Sequence, residues 1–183
     1  MQTRYLVLLI GPPCVGKSSW IATHLQEYIQ EAYVVINRDD VVSAVAREYG
    51  MTYDDMYLDQ KEYPIVQEAN QEITRRHREN IANAVQTGLS VVIDMTNNTE
   101  KSREKMIGMV GAEDWQKMAI VFDTDDDIEF LTTQAELRNI KETELYGMPK
   151  TITREILERF LRDFEEPSPD VFHRIVHVRP WWK

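Results

Sequence analysis

LLIGPPCVGKSSW (residues 8–20) begins with an apolar run that stops at a glycine and two prolines. After Cys14 and Val15 come a second glycine, a lysine and two serines. The spacing from Gly11 to the run GKS (residues 16–18) fits the phosphate-binding loop pattern G-x-x-x-x-G-K-[ST]. Such a loop wraps a polyphosphate with backbone N–H groups at a helix N-terminus, and its lysine adds a positive charge. We expect the hydroxyl of Ser18 to be an oxygen ligand for Mg²⁺ carried on the same phosphates.

The flanks of this loop have the strand and the helix that the pattern requires. Residues 5–10 (YLVLLI) form a short apolar run that ends at the Gly-Pro break, which is typical of a buried strand. After Ser18, apolar residues recur at helical spacing from Trp20 to Ile29. We therefore expect ATP to contact Gly11, Pro13, Cys14, Val15, Gly16, Lys17, Ser18 and Ser19.

Composition places the chain among ordinary globular proteins. Its 183 residues are 43% hydrophobic and 28% charged, which predicts one domain over residues 1–183. The single cysteine, Cys14, excludes an intrachain disulfide and is interpreted as a small space-filling residue. Without a membrane-spanning apolar run or a secretion signal, we expect a cytoplasmic protein with no membrane partner. The net charge of −10 disfavours a broad nucleic-acid surface but allows a local basic pocket.

Strand-like and helix-like segments alternate along the rest of the chain. The predicted later strands are residues 33–37, 90–94, 118–123 and 174–178, and the predicted helices include residues 39–49 and 64–87. The expected buried stripe of the longer helix is Ile65, Ala69, Ile73, Ile81, Ala84 and Val85. This alternation predicts an α/β fold with about five mostly parallel strands and helices on both faces. Residues 51–63 lack periodicity and are interpreted as an irregular insertion near the site, facing the acceptor.

The residues just past each strand are the candidates for chemistry, because ligands of such folds bind at the carboxyl ends of the strands. Asp39 follows the second strand and is the candidate general base, although Asp39 or Asp40 could instead cap the next helix. Asp94 ends the third strand, where an acidic residue orients Mg²⁺ and its waters. The acidic run 125–127 is interpreted as a helix N-terminus rather than a metal site.

The motifs GPPCVGKSSW (residues 11–20), INRDD (36–40) and VVIDMTNNT (91–99) resemble the kinase domain of polynucleotide 5′-hydroxyl kinases. Zeta-toxin-like and seryl-tRNA-type kinases are relatives of that domain. The stretch 135–169 resembles the lid of the family and the helix that follows it. The resemblance covers nearly the whole chain and implies a P-loop NTPase three-layer sandwich with a helical lid at about residues 134–152.

Matching positions imply roles for individual residues. Lys17 and Ser18 would hold the phosphates and Mg²⁺, with Asp94 as the second metal-side residue. Asp39 would take the proton of the attacking hydroxyl, and Arg138 would reach the phosphates from the lid. The resemblance also implies contacts with substrate from Asn37, Arg38, Thr96 and Asn97.

Three positions depart from the pattern of that family. Val42 stands where phage-type members have an arginine that grips a substrate phosphate, Glu142 stands near an expected second lid arginine, and Cys14 replaces a glycine. These departures affect the part of the site expected to bind the acceptor (the acceptor half). They leave intact the part expected to bind ATP (the ATP half). Basic residues that could replace the lost phosphate contacts are Arg75, Arg76, Arg78, Lys101, Arg103 and Lys105, although such helical runs are usually solvated faces.

The function predicted from these patterns is transfer of the γ-phosphate of ATP to a hydroxyl of a nucleic acid, most simply a 5′ end. One alternative keeps the same machinery and phosphorylates a hydroxymethylated pyrimidine within DNA. Another is a kinase of a small metabolite, which suits the acidic net charge. An alternative that is not a kinase is a nucleotide-binding switch without an acceptor. Such a protein would have no evident role for Asp39.

Overall fold

The structure is a computed structural model that describes residues 3–124, 127–147 and 150–179. In chain order the elements are β1 (Tyr5–Ile10), α1 (Lys17–His24), β2 (Tyr33–Asn37), α2 (Arg38–Glu48), α3 (Pro64–Gln86), β3 (Ser90–Asp94), α4 (Glu100–Val110), β4 (Gln116–Phe122), α5 (Ile128–Tyr146), α6 (Arg154–Arg162) and β5 (Arg174–Val178). Short 3₁₀ helices lie at Leu25–Glu27 and Asp54–Tyr57. Among the described residues, no helix is both long and apolar enough to cross a membrane.

The strands form one five-stranded sheet in the order β2-β3-β1-β4-β5, and every neighbouring pair is parallel. β1 lies at the centre, where Leu8 is in register with Ile93 on one side and with Ala119 on the other. The predicted sheet is thereby confirmed. All carboxyl ends of parallel strands meet at one edge, so the loops after β1, β2 and β3 converge there.

Side chains that alternate along β1 build two separate cores, because successive residues of a strand face opposite sides. Leu6 and Leu8 pack with residues of α3 and α4, such as Ile81 and Met106. Val7 and Leu9 pack with residues of α1, α5 and α6 in the second core. Helices therefore cover both faces, and the fold is the three-layer sandwich that was predicted.

Three boundaries or faces differ from expectation. β4 begins at Gln116, two residues earlier than predicted, and α2 begins at Arg38. In α3, Ile65 is 49% exposed, whereas its neighbour Val66 is fully buried. The buried positions of this helix run from Val66 at intervals of three and four residues, so Ile65 lies about 100° away from that stripe. Val85 is half-buried beside Ala84.

The predicted lid at residues 134–152 corresponds to the later turns of α5 and the segment before α6. Large apolar side chains of α5 remain exposed, with Leu137 at 54% and Leu145 at 61%. The helix begins at a side-chain cap, because the carboxylate of Asp127 accepts a hydrogen bond from the N–H of Phe130 at 3.0 Å. The helix-N-terminus interpretation is thus confirmed for Asp127, while Asp125 and Asp126 lie outside the described residues.

Candidate active site

The loop after β1 turns tightly enough to need left-handed backbone conformations. Gly16, the N-cap of α1, has φ 88°, and Cys14 has φ 64°. A side chain in that region costs about 1–2 kcal/mol, which explains why glycine is the residue expected at position 14. A Cβ at Gly11 would lie 3.0 Å from Cβ of Phe122, so the loop passes too close to β4 for a larger residue.

Lys17 lies folded against this loop. Its Nζ donates hydrogen bonds to the carbonyl oxygens of Gly11 at 3.0 Å and Pro12 at 2.7 Å. Burial lowers the pKa of Lys17 to about 8, although the carboxylate of Asp94 acts in the opposite direction. A phosphate group beside Nζ would supply the negative charge that this buried ammonium lacks.

Ser18 and Asp94 meet at the carboxyl edge of the sheet. The Ser18 hydroxyl donates to Oδ2 of Asp94 at 2.6 Å, and the side-chain amide of Asn37 lies 3.5 Å from the same oxygen. Mg²⁺ in phosphate sites takes one or two protein oxygens and completes its shell with waters and phosphates. Among the described residues, no group of three or more His, Cys, Asp or Glu side chains could hold a metal ion. An oxygen pair such as Ser18 and Asp94 is suited to a magnesium ion whose other ligands are waters and phosphate oxygens.

Asn37, rather than Asp39, caps α2. Its side-chain oxygen accepts a hydrogen bond from the N–H of Asp39 at 2.8 Å. The Asp39 carboxylate is thus left to contact other groups: Oδ1 accepts from the Tyr53 hydroxyl at 3.0 Å, and Oδ2 contacts Nζ of Lys150. The capping alternative for Asp39 is not the arrangement found.

The surroundings of Asp39 keep its carboxylate ionised. Burial alone would raise the pKa of Asp39, but the ammonium of Lys150, the hydroxyl of Tyr53 and the guanidinium of Arg138 outweigh burial and lower it below its usual value. At neutral pH the side chain is therefore an anion that can accept a hydrogen bond from a substrate hydroxyl.

Lys150 and Tyr53 are candidate functional residues that the sequence motifs missed. Lys150 is 7% exposed, and its Nζ lies 4.2 Å from the centre of the Tyr53 ring. The backbone N–H of Lys150 donates to the side chain of Asn139, which joins this segment to α5. No sequence motif marked either residue, because Lys150 follows α5 and Tyr53 lies in the segment 51–63 that lacks periodicity.

A single cavity of about 1380 Å³ joins these groups. Pockets for one small molecule are typically about 300–1,000 Å³, so the volume is sufficient for a nucleotide and part of a second substrate. Residues of α5 such as Leu137, Arg138 and Lys141 form one wall, opposite the phosphate loop. The predicted site residues that line the cavity are Pro13, Cys14, Gly16, Lys17, Ser18, Ser19, Asn37, Arg38, Asp39, Asp94, Thr96 and Arg138.

Three residues that were predicted to contact ATP or substrate do not line the cavity and instead support its wall. Asn97 is 3% exposed, and its amide donates to the carbonyl oxygen of Leu9 at 2.9 Å, so it joins the end of β3 to β1. Val15 is 1% exposed and packs in the core. The N–H of Gly11 donates to the carbonyl oxygen of Thr96 at 3.0 Å.

The structure also accounts for the departures on the acceptor side. Val42 is 1% exposed and packs with Val45 and Met56, so this position faces the core and not the cavity. Arg103 is 2% exposed and binds backbone carbonyls, so it is a structural residue. Arg76 is paired with Glu48 and Glu72, as is usual for a solvated helix face.

The fold and this site define a P-loop nucleotide-binding protein of the kinase-like class. The chain belongs to the AAA_33 family, whose model, described as an AAA domain, matches residues 6–167. None of the curated protein sequences compared with the chain matches it.

Solved structures with low sequence identity share the fold. A structure of the PezAT toxin–antitoxin system of Streptococcus pneumoniae has a TM-score of 0.65 at 16% identity, covering 98% of this chain and 69% of that one. A gluconokinase from Sinorhizobium meliloti has a TM-score of 0.51 at 15% identity, covering 99% and 85%. A chain of the Pnkp1/Rnl/Hen1 RNA repair complex has a TM-score of 0.59 at 19% identity, covering 89% of this chain and 44% of that one.

Proposed function

We propose that this protein transfers the γ-phosphate of ATP to a hydroxyl of a nucleic acid, most simply a 5′-hydroxyl end. The observation that supports this most directly is the state of Asp39. Its carboxylate is ionised, is not used as a helix cap, and lines the same cavity as Lys17 and Ser18. A nucleotide-binding switch would have no use for such a group beside its phosphates.

In the proposed reaction, Asp39 accepts the proton of the acceptor hydroxyl, and the oxygen of that hydroxyl forms a bond to the γ-phosphorus. The bond between that phosphorus and the β,γ-bridging oxygen breaks, and ADP leaves. Lys17 and Arg138 balance the negative charge of the transferred group. Ser18 and Asp94 would hold Mg²⁺, which neutralises charge on the β- and γ-phosphate oxygens when it is bound.

A hydroxyl on a modified base within DNA is a second candidate acceptor. Val42 lies in the core, and Glu142 lies 3.9 Å from Arg138, so neither position provides a cationic clamp for a phosphate next to a 5′ end. An acceptor such as a hydroxymethylpyrimidine does not need that clamp. The roles assigned to the residues that bind ATP are the same for both nucleic-acid acceptors.

A transfer assay with radiolabelled ATP tests these functions. The acceptors are oligonucleotides with a 5′-hydroxyl, duplexes that contain hydroxymethylpyrimidine and carry 5′-phosphates, and a panel of small alcohols and sugars. We expect label on a nucleic acid, and the position of the label distinguishes an end from a base. Label on metabolites alone would overturn the proposal.

The Lys150–Asp39 contact predicts a shifted pH profile. In Lys150→Met the burial of Asp39 is no longer opposed by this cation, so its pKa rises and the acidic limb of kcat/KM moves to higher pH. We expect kcat at neutral pH to fall up to about 10²-fold, as for other misplaced reacting groups. The measurement is a pH series of initial rates.

Lys150→Arg is the matched control, because it keeps the charge at this position. It should retain the acidic limb of the wild-type protein. An unchanged profile in Lys150→Met would mean that this lysine does not tune the base.

A further inference from the structure

A second concave surface lies next to the active site. It encloses about 680 Å³ and is formed by Arg38, Gln60 and one face of α3. On α3 the lining residues include Gln67, Gln71 and Arg78, whose spacing places them along one side of the helix. We call this surface the α3 groove.

The α3 groove adjoins the active cavity. Arg38 lines both, and it directly precedes the proposed base Asp39. The insertion at residues 51–63 also contributes to both, since Tyr57 lines the cavity and Gln60 lines the groove. A ligand that presents a hydroxyl to Asp39 can therefore extend into the groove if it is long enough.

The groove is locally basic in a chain of net charge −10. Arg75 is compensated by ion pairs with Glu72 and Glu79. By contrast, Arg38 and Arg78 form no ion pair with any residue in the described part of the chain. Two uncompensated guanidinium groups thus face a surface otherwise lined largely by neutral amides.

This mixture suits the backbone of a nucleic acid. Arginine, glutamine, asparagine and threonine side chains are the ordinary donors to phosphate and sugar oxygens. They form the lining of the groove except for Glu79, whose carboxylate is paired with Arg75. The groove has few apolar groups, so a lipid or an apolar peptide would gain little there. Beside it, Tyr57 is 63% exposed and offers a ring on which a base can stack.

We propose that the α3 groove binds the phosphodiester backbone of a single-stranded acceptor whose reacting hydroxyl lies at Asp39; this inference rests on the proposed function. From Gln67 to Arg78 the helix rises by about 16 Å, at about 1.5 Å per residue. That length is several times the rise of about 3.4 Å per phosphate along one strand of a duplex. It also exceeds one nucleotide of an extended single strand, so the groove is long enough to contact more than one phosphate. The acceptor that fills the groove is accordingly a polynucleotide, whereas a mononucleotide would occupy only the position at Asp39.

The test compares a long and a short acceptor. The long one is a 5′-hydroxyl oligonucleotide of about 12 nucleotides, within the usual range of about 4–16 for single-strand sites, offered in separate arms as DNA and RNA. The short one is a nucleoside 3′-monophosphate. In Arg78→Ser we expect KM for the oligonucleotide to rise severalfold and the slope of log KM against log salt to fall by about 1. We expect kcat and KM for the mononucleotide to stay unchanged.

Arg47→Ser is the matched control, because Arg47 is an exposed arginine on α2 that lines neither the groove nor the cavity. It should leave KM for the oligonucleotide nearly unchanged. If Arg78→Ser and the charge reversal Arg78→Glu also leave that KM and its salt dependence unchanged, the groove proposal is overturned while the proposed function stands. If the wild-type protein phosphorylates neither acceptor and labels only metabolites, both proposals fail.

Discussion

Asp39→Asn is expected to lower kcat by about 10²–10⁴-fold, the usual contribution of a positioned general base. The asparagine keeps the shape of the side chain but cannot take a proton from the acceptor hydroxyl. Binding of ATP should remain close to normal, because Asp39 contacts Tyr53, Lys150 and Arg138 and not the phosphate loop. Initial rates and calorimetric titration with ATP measure the two effects separately.

Asp40→Asn is the matched control for this substitution. Asp40 is the neighbouring residue on α2 and is exposed. Its replacement should leave turnover nearly unchanged. Because Asp39→Asn leaves the buried ammonium of Lys150 without its carboxylate, thermal unfolding should be recorded as well. A lower melting temperature with unchanged turnover would assign Asp39 to structure and contradict the base role.

Arg138→Ala is expected to reduce kcat by about 10³-fold, at the lower end of the effect of arginines that stabilise phosphoryl transfer. In the structure its guanidinium lies 3.8 Å from Asp39 and 3.9 Å from Glu142, longer than a charge-assisted hydrogen bond. The guanidinium also contacts Cys14 of the phosphate loop, so it already lies beside the place where a γ-phosphate would bind. Single-turnover rates at saturating ATP measure the loss.

Two variants separate the role of Arg138 from charge alone. Arg138→Lys keeps a cation but loses the planar fork of donors, and should recover only part of the rate. Lys141→Ala removes another cation from the same helix and cavity wall, and should have a much smaller effect. Equal losses in Arg138→Ala and Lys141→Ala would show a general effect of charge on the cavity and would contradict a specific transition-state contact.

Much of the phosphate-loop side of the site could be predicted because its residues are close together in the sequence. The run from Gly11 to Ser19 encodes its own strand end, turn and helix start, and the structure places the residues Lys17 and Ser18 as local geometry requires. The start of α2 was not predicted correctly. Asp39 or Asp40 was the expected alternative cap, whereas the side chain of Asn37, two residues before Asp39, caps the helix.

The surroundings of Asp39 and the α3 groove could not be predicted in the same way. Lys150 and Asp39 are separated by 111 residues, and they meet because α5 packs across the carboxyl edge of the sheet. Arg75 and Arg78 have the same side-chain chemistry, but only the carboxylates around them decide which one is neutralised. Asn97 looks like a substrate ligand in its motif and is turned toward β1 in the fold.

The amino-acid sequence by itself determined the phosphate loop, the parallel sheet and the edge of the sheet at which the polar loops converge. These features follow from hydrophobic period, turn residues and helix capping, which act over a few neighbouring residues. Only the tertiary structure decided which cations face Asp39, which predicted ligands are buried and where a basic groove extends from the site. Those features depend on the packing of distant segments, in which burial and charge pairing are properties of the whole fold.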